Sequence, residues 1–138
     1  MNAEMPITER DQKLVLVVED DEEQLTVLRM ILSDAGYSVV TQSDADRVLQ
    51  DVKDLHPAIV LMDVMLPSRS GTDGFALCSD IRRIPELNDI KIIIVSAIAQ
   101  GVGAQREKVR SQVGADDFFV KPFEPQSLVD RIKELVGD

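Results

Sequence analysis

The chain alternates short aliphatic runs with stretches whose apolar residues recur every three or four positions. Residues 13–18 (KLVLVV), 37–41 (YSVVT), 58–62 (AIVLM), 91–95 (KIIIV) and 118–120 (FFV) read as strands. Runs such as KLVLVV and KIIIV show little polar alternation, as expected of strands covered on both faces. Between them, residues 22–35 place Leu25, Leu28 and Leu32 at helical spacing, and Gly36 follows as a helix-ending glycine. Ser43 reads as the N-cap of a short helix over 44–52. Residues 75–84 point Leu77, Cys78 and Ile81 inward, and residues 105–113 form a helix closed by Gly114. The last helix, 125–136, starts on Pro125 and aligns Leu128, Ile132 and Leu135.

Five strands alternating with five helices predict an α/β fold: one open parallel sheet with helices on both faces, three layers in all. Residues 1–12 carry Pro6 and no period, and read as a mobile leader before one domain spanning 13–138. No output domain is expected within this chain.

Composition narrows the function. Of the 138 residues, 44% are hydrophobic but only 4% aromatic, so aliphatic side chains must fill the core. The net charge of −10 disfavours direct contact with nucleic acid or an anionic membrane surface. The one cysteine, Cys78, excludes an internal disulfide and suits a cytoplasmic location. No apolar run is long enough to span a bilayer as a helix.

The polar residues that end the strands are the informative ones. The first strand runs into Glu19 and Asp20, the third into Asp63, the fourth into Ser96 and the fifth into Lys121. Ligands of open α/β sheets bind outside the carboxyl ends of the strands, and a 2-1-3-4-5 order sets the first strand beside the third. Glu19, Asp20 and Asp63 would then converge. Two unit charges about 4 Å apart repel by roughly 4 kcal/mol at an effective dielectric near 20. A hard divalent cation relieves that, and oxygen ligands favour Mg²⁺. With Lys121 as a fixed cation and Ser96 as a hydroxyl donor, Asp63 has the surroundings of a carboxylate nucleophile for phosphoryl transfer.

The segments LVLVVEDDEEQ, IVLMDVMLP, IIIVSA, GADDFFVKPF and the FEP before the last helix resemble the receiver domain of two-component response regulators. The resemblance covers nearly everything from Lys13 to Val136. It implies the flavodoxin-like fold and a signalling domain that is not an enzyme in its own right. Asp63 is the implied phosphoacceptor, fed by a histidine kinase or histidine phosphotransfer domain. Glu19 and Asp20 are the implied acidic pair, Asp20 the more direct ligand, and the Met65 backbone carbonyl completes the protein's ligands to Mg²⁺. Ser96 is the implied switch hydroxyl and Phe118 the switch aromatic. Phosphate would draw Ser96 toward it and let Phe118 rotate inward. That would reshape the surface formed by helix 105–113, strand 118–120 and helix 125–136 for a downstream protein target or a phosphorylation-dependent homodimer. The Lys121–Pro122 bond is expected to be cis.

Two loops depart from the family. Relatives usually carry two residues between the proline after the acceptor and an acidic-or-Ser-Gly pair; here Pro67 is followed by SRSGTDG. Either Ser70-Gly71 is the pair, or Asp73-Gly74 is and three residues are inserted. The stretch from Ser96 to Lys121 is also about three residues long for the family, with the excess expected in 97–104. Both loops are expected to alter access to Asp63 and the lifetime of its phosphoryl group.

Elsewhere Asp21 reads as an N-cap, His56 as an exposed loop residue, Cys78 as a half-buried core residue, Arg69 as solvated, and Asp116 and Asp117 as surface residues opening the last strand. An alternative function is a receiver-like interaction module that needs no phosphorylation. A second is a Mg²⁺-dependent phosphohydrolase, which would want a general acid where Met65 stands.

Overall fold

The computed structural model describes residues 13–66, 68–96 and 113–137. Five parallel strands form one sheet: β1 (Leu14–Val18), β2 (Ser38–Gln42), β3 (Ile59–Asp63), β4 (Lys91–Ser96) and β5 (Asp117–Val120). Their order is β2-β1-β3-β4-β5, the doubly wound arrangement expected from the alternation. Val15 pairs with Ile59 across β1–β3, and Asp63 with Val95 across β3–β4.

Alternate residues of each central strand feed opposite cores. Leu16, Val18, Val60, Met62, Ile92 and Ile94 face α2 (Ala45–Leu55) and α3 (Gly74–Arg82). Val15, Val17, Ile59, Leu61, Ile93 and Val95 face α1 (Glu22–Asp34) and α4 (Pro125–Val136). Burial on both faces is the physical reason the strand sequences are aliphatic throughout.

Helix ends differ from expectation where carboxylates compete for the caps. Asp21 caps α1 as expected, its side chain accepting from the Gln24 amide. Asp44, not Ser43, caps α2, and that helix runs to Leu55, where His56 closes it at φ 45°. Asp73 caps α3 one residue earlier than expected, and the helix stops at Arg82. Strand β2 is shifted one residue later, ending on Gln42, while Tyr37 is buried.

Cys78 is fully buried rather than half-buried, and burial pushes its thiol up to about 12. Asp117 is buried too, against expectation, because Arg131 reaches from α4 to its Oδ2 at 2.7 Å. Asp116 is half-buried and accepts from the Ile92 amide and from Arg82. His56 is exposed, as expected, and lies 3.0 Å from Asp89. The predicted leader 1–12, the loop 97–104 and most of the predicted helix 105–113 lie outside the described residues.

Candidate functional site

The carboxyl end of the sheet gathers the polar residues that end β1, β3, β4 and β5. Glu19 and Asp63 are buried, Asp20 is exposed, and one carboxylate oxygen from each lies within 4.8 Å of the others. Lys121 spans the pair. Its Nζ donates to Glu19 Oε1 at 2.8 Å and to Asp63 Oδ2 at 2.9 Å. The other Asp63 oxygen, Oδ1, accepts from the Met65 amide at 3.0 Å.

The backbone fixes these positions. The Glu19 amide donates to the Gln42 carbonyl of β2, and the Asp21 amide returns to Glu19 Oε2. The Lys121 amide donates to the Ser96 carbonyl at 2.7 Å, so Lys121 leaves β5 locked to the end of β4. The Lys121–Pro122 peptide is cis, as the resemblance implied. Ser96 is fully buried at the end of β4. The expected convergence of Glu19, Asp20, Asp63 and Lys121 is therefore realised.

Burial raises the Glu19 carboxyl above its ordinary range; bonds from Lys121 and the Asp21 amide oppose the rise, and Asp63 adds to it. Burial works against the Lys121 ammonium, but its bonds to Glu19 and Asp63 together outweigh that and hold its pKa above the usual lysine value. Three carboxylates with one ammonium leave the mouth negative. The donor set is all oxygen, partly buried and partly open at Asp20, which fits a hard divalent cation such as Mg²⁺. Among the described residues, Glu19, Asp20 and Asp63 are the side chains able to hold it.

Phe118 is already inward, 1% exposed and packed in the core under α3. The turn after β3 also resolves the two readings of its glycines. A Cβ at Gly74 would sit 2.7 Å from the Asp63 carbonyl and 2.9 Å from Val64 Cα, whereas one at Gly71 would meet nothing within 4 Å. Asp73-Gly74 is therefore the pair at the start of α3, and the inserted residues lie before it.

Sequence reasoning missed Asp46. From the first turn of α2 it accepts from Ser68 Oγ (3.1 Å), the Arg69 amide (2.8 Å) and Ser70 Oγ (2.6 Å). These bonds hold its carboxyl below the ordinary range. Beside the acidic cluster a groove of about 620 Å³ runs between α1 and the chain after β5, lined by Val27, Leu28, Ile31, Pro122 and Phe123 among others.

The comparisons agree with this geometry. Residues 15–133 match the family model of the response regulator receiver domain. The transcriptional regulatory protein BaeR of Escherichia coli O6:H1 is 35% identical over 133 residues, covering 96% of this chain and 51% of that protein. The BeF3-activated N-terminal receiver domain of Klebsiella pneumoniae RstA superposes with a TM-score of 0.77 at 26% identity, covering 91% of this chain and 99% of that one. The signal receiver domain of a signal transduction histidine kinase from Syntrophus aciditrophicus gives 0.78 at 26% identity, covering 91% and 90%. The chain belongs to the response regulator receiver domain family of two-component systems. It spans about half the length of the curated relatives it matches.

Proposed function

We propose that residues 13–138 form a receiver domain whose Asp63 accepts a phosphoryl group from a phosphohistidine on a histidine kinase or histidine phosphotransfer domain. The observation that carries this reading is Lys121 bridging Glu19 and Asp63 inside a cluster of three carboxylates. A structural ion pair alone would not need two acids on one ammonium with a third carboxylate beside them.

In the transfer, an Asp63 carboxylate oxygen attacks phosphorus; the O–P bond forms as the P–N bond to the donor imidazole breaks, and that nitrogen leaves with the electron pair. Lys121 neutralises charge on the phosphoryl oxygens, and the Ser96 hydroxyl donates to one of them. Mg²⁺ held by Glu19, Asp20, Asp63 and the Met65 carbonyl would supply further charge neutralisation. The groove beside Lys121 offers apolar walls for the donor protein.

The readout is a population shift. Phosphate engages Ser96 and favours the inward Phe118, an aromatic ring with no hydroxyl to satisfy when buried. The surface around β5 and α4 then presents one form to a downstream protein target or to a second copy. The domain catalyses only its own modification and slow dephosphorylation, acts in the cytoplasm, and makes no direct contact with nucleic acid or membrane.

The test is the intact mass after incubation with Mg²⁺ and acetyl phosphate. One added phosphoryl group, absent in Asp63→Ala, is expected. No added mass would favour a phosphorylation-independent interaction module. Steady phosphate release over many turnovers would favour a phosphohydrolase.

A further inference from the structure

We propose that Asp46 is a positioning residue for the Asp63 site, acting through the loop between β3 and α3. This rests on the phosphoacceptor reading above.

Both ends of that loop are tied to the acceptor or to the residue that follows it. At its start the Met65 amide donates to Asp63 Oδ1 at 3.0 Å. At its end the Gly74 amide donates to the Val64 carbonyl at 3.1 Å, and Gly74 packs so close to the Asp63 carbonyl that no Cβ fits. Between them the inserted residues form a polar knot. Ser68 Oγ accepts from the Thr72 amide and lies 3.1 Å from Ser70 Oγ, which is 2.7 Å from Thr72 Oγ1. Among the described residues, Asp46 joins this knot to α2 through three bonds to residues 22 to 24 positions away.

An inserted loop of small polar residues has little apolar surface with which to hold itself in place. Charge-assisted bonds to one carboxylate supply the missing anchor. Because α2 is itself packed through Ala45, Val48 and Val52, Asp46 is a fixed post. The orientation of Met65, whose amide supports the acceptor and whose carbonyl is the proposed further ligand of the cation, thus depends on a residue outside the acidic cluster. Asp46 would support Mg²⁺ affinity without touching the ion.

Calorimetric titration of Mg²⁺ into the unphosphorylated protein tests this, with wild type, Asp46→Ala and Ser68→Ala/Ser70→Ala compared. The serine variant leaves α2 intact, so it separates loop anchoring from the effect of removing an acid from the first turn of that helix. Asp46→Ala is expected to weaken Mg²⁺ about tenfold, the low end of what losing an outer support costs a metal site. The serine variant moves affinity in the same direction, and the combined variant adds little, since both break one connection. Exchange of the Met65 amide hydrogen quickens in each. Wild-type affinity in the serine variant, or an unchanged Met65 amide, overturns the inference while the phosphoacceptor reading stands. A wild-type protein that binds no Mg²⁺ removes both.

Discussion

Lys121 Nζ lies 2.9 Å from Asp63 Oδ2, joining residues 58 positions apart at the carboxyl end of the sheet. Removing the ammonium leaves Glu19 and Asp63 buried together without a counter-charge. Lys121→Ala is expected to cost roughly 3 kcal/mol in the absence of divalent cations. Urea unfolding with and without Mg²⁺ checks this, and Mg²⁺ should recover part of the loss. The bond also has an alkaline limit. The folded pKa of Lys121 is raised above 10.5, so its contribution is intact below that pH and is lost as pH rises through the higher folded value.

Asp46 gives the opposite limb. Its folded pKa lies below the ordinary 3.8, so its contribution is present above that pH and lost as pH falls through the folded value. Thermal melting of wild type and Asp46→Asn should differ near neutrality and converge in strong acid. A constant difference across the whole range would contradict the assignment.

Gly74 and Gly71 should respond differently to alanine. At position 74 the added methyl meets backbone atoms of Asp63 and Val64, which cannot swing away; a loss of about 2–3 kcal/mol is expected, as for overpacked cores. At position 71 the methyl has room, and only the positive φ of 81° opposes it, so about 1 kcal/mol is expected. Denaturant midpoints of the two variants check the order, which reverses if Ser70-Gly71 were the tight pair.

Arg82 ties α3 to both neighbouring strand connections. Its guanidinium donates to the Gly114 carbonyl at 2.8 Å, the Ile90 carbonyl at 2.7 Å and Asp116 at 3.0 Å. Arg82→Ala leaves those acceptors short of donors in half-buried surroundings and is expected to cost roughly 2 kcal/mol. Arg82→Lys should recover only part, because one ammonium cannot reproduce the fork. Equilibrium unfolding of the two variants checks this.

The sheet was legible because its central strands are covered on both sides, which forces aliphatic runs such as KLVLVV. The acidic site was legible for a related reason. Each of Glu19, Asp63, Ser96 and Lys121 follows such a run directly, so it must emerge at the same end of the sheet. Features that depend on distant residues were not legible. Asp117 looked like a surface residue because nothing near it in sequence shows that Arg131 will reach back over it. Nothing in the sequence near Asp46 marks it as an anchor, because its partners Ser68, Arg69 and Ser70 lie beyond β3. Ser43 and Asp44 are both good caps, and only the backbone path after β2 decides between them.

The reach of Lys121 has a practical consequence. Through its side chain and its amide this residue joins the ends of β1, β3, β4 and β5, so whatever occupies the acidic mouth also acts on the seam that keeps the strands together. The proposed metal loading and phosphorylation would therefore be expected to shift the melting temperature. A simple dye-based heating curve can rank candidate ions, donors and inhibitors before any partner is known.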